Sequence, residues 1–126
     1  MTVTLDVVVF SYLDRPIFDV FIDGKVGESS GVYPETGGST VAGVALDLGP
    51  KKVSWRLDGP KGTARNGDTV VAKNALSLAP PPPGSKYLGV HIYPDDTAEL
   101  VASQFYPQPS KRGETEIARL EKRHGK

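Results

Sequence analysis

The sequence predicts an all-β fold, an antiparallel β-sandwich of the immunoglobulin-like or transthyretin-like kind with about seven strands. Three observations lead there. Short runs of alternating apolar residues recur along the chain, 14 Gly and 11 Pro punctuate them, and only the C-terminal segment carries a helical pattern. Alternation with a period of two is the mark of a half-buried strand, and frequent Gly and Pro mark turns. At 126 residues the chain fits one domain, with a core large enough to need neither metals nor disulfides. The expected division is a β domain over residues 1–110 and a charged helix or disordered tail over 111–126.

From Thr2 to Tyr12, Val3, Leu5, Val7 and Val9 share one face of an extended segment, and Thr4, Asp6, Val8 and Phe10 share the other. Pro16 cannot donate to a ladder and pushes Arg15 out of the helical region, so Leu13–Pro16 reads as a turn, fixed by Asp14 and Arg15 into a first hairpin. Ile17 to Asp23 resumes as a strand, with Phe18, Val20 and Ile22 facing one way and Ile17, Asp19 and Phe21 the other. Asp23-Gly24 supplies the positive φ of a tight turn. Glu28 to Ser39 has no periodicity and reads as a loop presenting Tyr33. Thr40 to Leu48 alternates with Ala42, Val44, Leu46 and Leu48 inward, until Gly49-Pro50 ends it.

Lys52 to Asp58 is the cleanest strand, with Val53, Trp55 and Leu57 pointing in and Trp55 the expected anchor of the core. Gly59 to Asp68 is a loop, Thr69 to Ala72 a short strand, and Leu76 and Leu78 extend or replace it. The run Pro80–Pro83 must take the polyproline conformation, as a stiff connector or a recognition ligand. Tyr87–Tyr93 and Ala98–Phe105 form a hairpin around Pro94-Asp95-Asp96-Thr97, with Leu88, Val90 and Ile92 on one face. Beyond Pro107 and Pro109, Glu114 and Glu116 come early and Arg119, Lys122 and Arg123 late, an order that suits a helix dipole. Only Ile117 and Leu120 form its apolar stripe, so a loosely held, fraying end is expected.

Composition excludes several functions. The 15 basic and 15 acidic side chains cancel, so the whole molecule exerts no long-range pull on nucleic acid or anionic membrane, and neither is an expected partner. With no Cys there is no disulfide, no thiolate nucleophile and none of the common structural zinc sites. No apolar run approaches the roughly 20 residues that cross a bilayer, and no signal-like segment precedes the first strand, so a soluble domain is expected.

The chemical candidates are few. His91 and His124 are the only histidines. His124 lies in the expected tail, and His91 is assigned to an exposed strand face, where a cross-strand Ser103 comes near it. No Gly-x-Ser-x-Gly elbow accompanies them, so no catalytic residue is expected. Asp95 and Asp96 lack the ligand spacing of a calcium loop and read as a solvated turn. Gly37-Gly38 lacks the Lys-Ser/Thr of a phosphate loop. Tyr33, Tyr87, Tyr93 and Tyr106 would serve a carbohydrate or nucleic-acid surface only if gathered on one exposed face; packing in the core or at its rim is the expected role.

Tyr12, Asp14-Arg15, Ile17, Phe21 and Asp23-Gly24, then Gly37-Gly38, then Val53 and Trp55, then Tyr87, Val90-His91 and Pro94-Asp95, together resemble the domain-of-unknown-function lipoproteins encoded beside type VI secretion phospholipases. The resemblance spans roughly residues 3 to 106. It implies an immunity protein that binds a cognate lipase or phospholipase effector and occludes its active site, with no catalytic groups and no cofactor of its own. It also implies the periplasm and a lipid anchor. This sequence lacks the family's signal, its lipid-carrying Cys and its paired Cys, which leaves the cytoplasm as the alternative. The partner surface is expected over Glu28 to Thr36, with Tyr33 as anchor between Glu28 and Glu35, and over Asp95 and Asp96, where side chains are free to be read. The competing readings are a carbohydrate- or ligand-binding module and a structural adaptor of a secretion or envelope assembly.

Overall fold

The computed structural model describes residues 2–13, 15–24, 28–30, 40–58, 61–62 and 64–123. Among the described residues ten strands and one helix follow in the order β1 (Thr2–Ser11), β2 (Ile17–Ile22), β3 (Glu28–Ser30), β4 (Thr40–Asp47), β5 (Gly49–Lys51), β6 (Val53–Leu57), β7 (Thr69–Val71), β8 (Leu76–Leu78), β9 (Tyr87–Ile92), β10 (Ala98–Ser103) and α1 (Lys111–Arg123). The chain is all-β and sheet-rich. One four-stranded sheet runs β10-β9-β1-β4, a second runs β3-β2-β6-β7, and β5 pairs with β8 in a short ribbon.

Both four-stranded sheets feed one apolar core. Leu5, Val7 and Val9 of β1 and Leu88, Val90 and Ile92 of β9 meet Ile17, Val20 and Ile22 of β2 and Val53, Trp55 and Leu57 of β6. Trp55 is 0% exposed, as the strict alternation of its strand requires. Its indole Nε1 has no hydrogen-bond partner among the described residues. An unpaired buried donor costs about 1–3 kcal/mol, set against the large area that the ring removes from water.

Three expectations are corrected. First, β1 and β2 do not form a hairpin: they lie in different sheets, and the chain crosses between them at Leu13–Pro16. Arg15 holds this crossing to the loop after β6, donating to the carbonyls of Asp58 (2.8 Å) and Ala64 (2.9 Å) and to Asn66 Oδ1 (2.7 Å). Asp14 lies outside the described residues. Second, the pairing is not wholly antiparallel. β1 runs parallel to β9, with Asp6 beside Tyr87 and Ser11 beside Ile92.

Third, two bulges shift the phase of strands that alternation reads as regular. In β2 the register slips between Phe18 and Phe21, where Asp19 takes a φ of 55°, so Ile17 joins Val20 and Ile22 in the core. Asp tolerates the left-handed region, and its carboxylate meets Arg56 at 3.1 Å. In β4 the slip falls at Gly43, whose φ is 68° and whose N–H donates to Asp6 Oδ1 at 2.9 Å. Val41 and Val44 therefore pack against the core, and Ala42 is exposed. At Asp23-Gly24 both residues have positive φ, 52° and 76°, the pattern of the tight hairpin turn read from sequence.

Candidate functional site

The outer face of the β1–β9 sheet carries a second cluster. Val8, Phe10 and Tyr12 leave the core side of β1 and meet Tyr93, with Tyr87 and Ile117 packed against them. The parallel register sets Phe10 beside His91, so the two rings stack at 4.9 Å and 9°. Tyr12 stacks on Tyr93 at 5.3 Å and 17°, and on His91 at 5.9 Å and 3°. His91 is 2% exposed, which corrects its assignment to an open strand face. Alternation placed it on the right side of the strand, but that side is covered. Glu99, and not Ser103, stands opposite it across the β9–β10 pair.

Ser110 joins this cluster to α1. Its hydroxyl accepts from the N–H of Gly113 (2.9 Å), an N-cap bond three residues ahead. Tyr93 donates its one hydroxyl proton to Glu99 Oε1 (2.9 Å), so the 2.7 Å contact between Tyr93 and Ser110 has the serine as donor. The Ser110 N–H donates to the Tyr12 hydroxyl at 3.2 Å, and that hydroxyl lies 2.8 Å from His91 Nδ1. With Tyr12 donating, His91 is neutral and carries its proton on Nε2. Burial lowers the pKa of His91 and raises that of Tyr12, which keeps both in these states. Burial, opposed by the Ser110 bond and assisted by the Glu99 carboxylate, pushes the Tyr93 hydroxyl up to about 12. Held on Nδ1 and enclosed, His91 is placed to lock a helix cap.

At the β9–β10 turn the acidic residues are partly engaged. Asp95 Oδ1 accepts from the Thr97 hydroxyl (2.6 Å) and the Thr97 N–H (3.2 Å), and Oδ2 meets Arg112 at 2.8 Å. These bonds, Thr97 first, lower the Asp95 pKa. Arg112 also donates to Thr97 Oγ1 and lies 4.0 Å above the Tyr93 ring. Asp96 adopts a φ of 65° and approaches Lys73 at 3.9 Å. Between this turn and α1 lies an open cleft of about 410 Å³, lined by Asn74, Tyr93, Thr97, Ala98, Glu99 and Arg112. Among the described residues no three His, Asp or Glu side chains converge as metal ligands.

The surface expected from sequence is thus seen in part. Asp95 and Asp96 sit at the tip of the hairpin, but Asp95 is tied to Arg112 instead of standing free. Glu28 opens β3, paired with Val20, while Tyr33 and Glu35 lie outside the described residues. Tyr93 is buried, and Tyr87 meets Tyr106 edge to face at 5.5 Å. Sequence reading overlooked Phe105, which is 77% exposed, and Val101 on β10, which is 42% exposed. Among the described residues β10 is an edge strand, and its first residue is closed off by Asn74, whose side chain bonds both the N–H (3.0 Å) and the C=O (2.7 Å) of Ala98. No helix among the described residues is long and apolar enough to cross a membrane. No family model matches the chain, and no curated protein and no solved structure matches it either.

Proposed function

We propose that this chain is a protein-binding β-sandwich that serves as an immunity protein, binding a type VI secretion phospholipase effector and occluding its active site. Phe105 carries the reading. A phenyl ring 77% exposed just past the end of β10, with Val101 and Tyr106 each 42% exposed, leaves apolar area on the surface at and after β10, and the Asp95-Asp96 turn sits at the strand's other end. An apolar centre with a charged rim is the anatomy of a protein interface, in which an aromatic anchor contributes most of the affinity.

The residues that carry the family resemblance fit this reading in a different way. Tyr12 and His91 lock the helix cap, Arg15 clamps the crossing between sheets, Asp23-Gly24 makes the turn and Trp55 fills the core. They specify a scaffold, which leaves the apolar part of the contact surface to side chains outside the motif. In this reading the domain works in the periplasm, where the effector acts.

The test is a phospholipase assay with increasing amounts of the chain. Activity should fall to zero at equal stoichiometry. Phe105→Ala should keep the wild-type melting temperature and weaken inhibition by about 2 kcal/mol, roughly thirtyfold in Kd. Full phospholipase activity under an excess of chain overturns the proposal. A carbohydrate-binding module is the second reading, favoured by the Tyr87–Tyr106 ring pair next to Phe105 in the chain. Oligosaccharide-induced shifts confined to those rings would select it.

A further inference from the structure

The run Ala79-Pro80-Pro81-Pro82-Pro83 lies between β8 and β9 and belongs to neither the core nor the exposed apolar residues Val101, Phe105 and Tyr106. Residues 79 to 82 each precede a proline, which excludes the helical region, and each proline fixes its own φ near −65°. The segment is therefore a left-handed polyproline helix of three residues per turn. Its burial follows that period. Leu78 is buried and Pro81 half-buried, and the ridge ends at Gly84, which is exposed, with the Gln104 side chain 3.7 Å from where a Cβ on it would stand. That ridge faces the domain. Ala79, Pro80, Pro82 and Pro83 are exposed on the other two, with Pro80 and Pro83 one turn apart.

Both ends of the ridge are pinned. Leu78 pairs with Gly49 across the β5–β8 ribbon. At the other end Pro82 accepts from the N–H (3.1 Å) and the hydroxyl (2.7 Å) of Ser85, closing a turn in which Gly84 has a φ of 81°. Pro in the second place and Gly at positive φ in the third make this a type II turn. Among the described residues no hydrogen bond reaches the carbonyls of Ala79, Pro80 or Pro81. Exposed Lys86 follows directly after the turn. A connector needs stiffness alone. This segment adds two exposed proline ridges, accessible acceptors and a terminal cation in one rigid unit.

We propose that the Ala79–Pro83 ridge is a second interaction surface, read by a partner domain whose groove is lined with aromatic rings and rimmed by a carboxylate. The Ala79-Pro80 and Pro82-Pro83 pairs fit between such rings, indole N–H or phenol O–H groups donate to the accessible carbonyls, and the carboxylate meets Lys86. Because the ridge is already ordered, binding sacrifices little chain entropy.

The experiment uses the full chain, isotope-labelled, titrated with an isolated SH3 domain and with a WW domain as probes. Saturable shifts at Ala79, Gly84, Ser85 and Lys86 are expected with at least one probe. Pro80→Ala combined with Pro83→Ala should weaken binding by roughly tenfold or more, and Lys86→Glu by a few-fold, while the remaining spectrum stays that of the folded chain. Pro81→Ala, on the inward ridge, should change affinity by less than about twofold. The proposal is overturned if neither probe shifts these signals at about 1 mM, a concentration well above weak-motif affinities. It is equally overturned if the double variant binds as the wild type does, or if the shifts map to Val101 and Phe105.

Discussion

The two faces of β1 are built on different principles. The inner face, Leu5, Val7 and Val9, enters a core of aliphatic side chains and one indole drawn from both large sheets. The outer face, Val8, Phe10 and Tyr12, enters a stack of rings bound together by hydroxyls and roofed by α1. Area removed from water holds the first together, without direction. The second depends on specific bonds, so it is sensitive to a single atom. A fold can thus keep its sheets through the inner face while the outer face decides where a helix rests.

The largest effect should come from breaking the inner face. Trp55→Ala is expected to cost about 3–5 kcal/mol in chemical denaturation. Trp55→Phe should cost clearly less, because it removes the unpaired Nε1 along with part of the area. A loss for Trp55→Phe well above that expected from the area it removes would mean that the indole N–H is satisfied in solution.

The outer face is tested by a reversal of sign. Gly is a poor helix residue, and Gly113→Ala in an unconstrained helix would gain about 1 kcal/mol. Here a Cβ on Gly113 would run into the Tyr12 ring, so the same change should destabilise by about 1–3 kcal/mol and loosen α1. Amide exchange along 111–123 measures the loosening, and a gain in stability would show that α1 does not rest on Tyr12. Ser110→Ala removes the cap and one link of the hydroxyl chain, for about 1 kcal/mol.

The smallest effect is one of pH. Burial lowers the His91 pKa below its ordinary 6.5, so below that pH the unfolded chain binds a proton that the folded chain refuses. Stability from this group is fully present above 6.5 and is lost as pH falls toward the folded value. Tyr12, Glu99 and the stacked Phe10 face the ring, and of these Glu99 opposes the shift. His91→Phe keeps the stack and removes the titration, so its denaturation midpoint should decline less between pH 7 and pH 5 than that of the wild type. Parallel declines would place the proton uptake elsewhere.

What the sequence makes legible divides along the same line. Alternation alone places Val53, Trp55, Leu57, Leu88, Val90 and Ile92 in the core, because those strands are regular. It misplaces Ile17 and Ala42, since a bulge inverts the phase; Gly43, isolated in a strand pattern, is a sign of one, whereas Asp19 is not. The outer cluster is less legible still. Its members at 12, 91, 93, 110 and 113 are adjacent only once the parallel register of β1 and β9 is known, and no local pattern encodes that register. The one visible hint is that the outer face of β1 turns from Thr4 and Asp6 to Val8, Phe10 and Tyr12, polar where it is open and apolar where it is roofed. Of the expected contact surface, Asp95 and Asp96 are found at the hairpin tip, whereas Val101 and Phe105 could be distinguished from core residues only by seeing what covers them.

The parallel seam between β1 and β9 also bears on how the chain reaches its native state. β1 is a central strand, yet one of its two neighbours is β9, near the far end of the chain. Contacts so distant in sequence raise the contact order, and loop closure must precede their reward. Folding should be slow for a domain of this size, on the millisecond-to-second scale of other β-rich topologies. During synthesis the N-terminal strand must wait with an open edge until nearly the whole chain has emerged, a window in which a chaperone would find it unfolded.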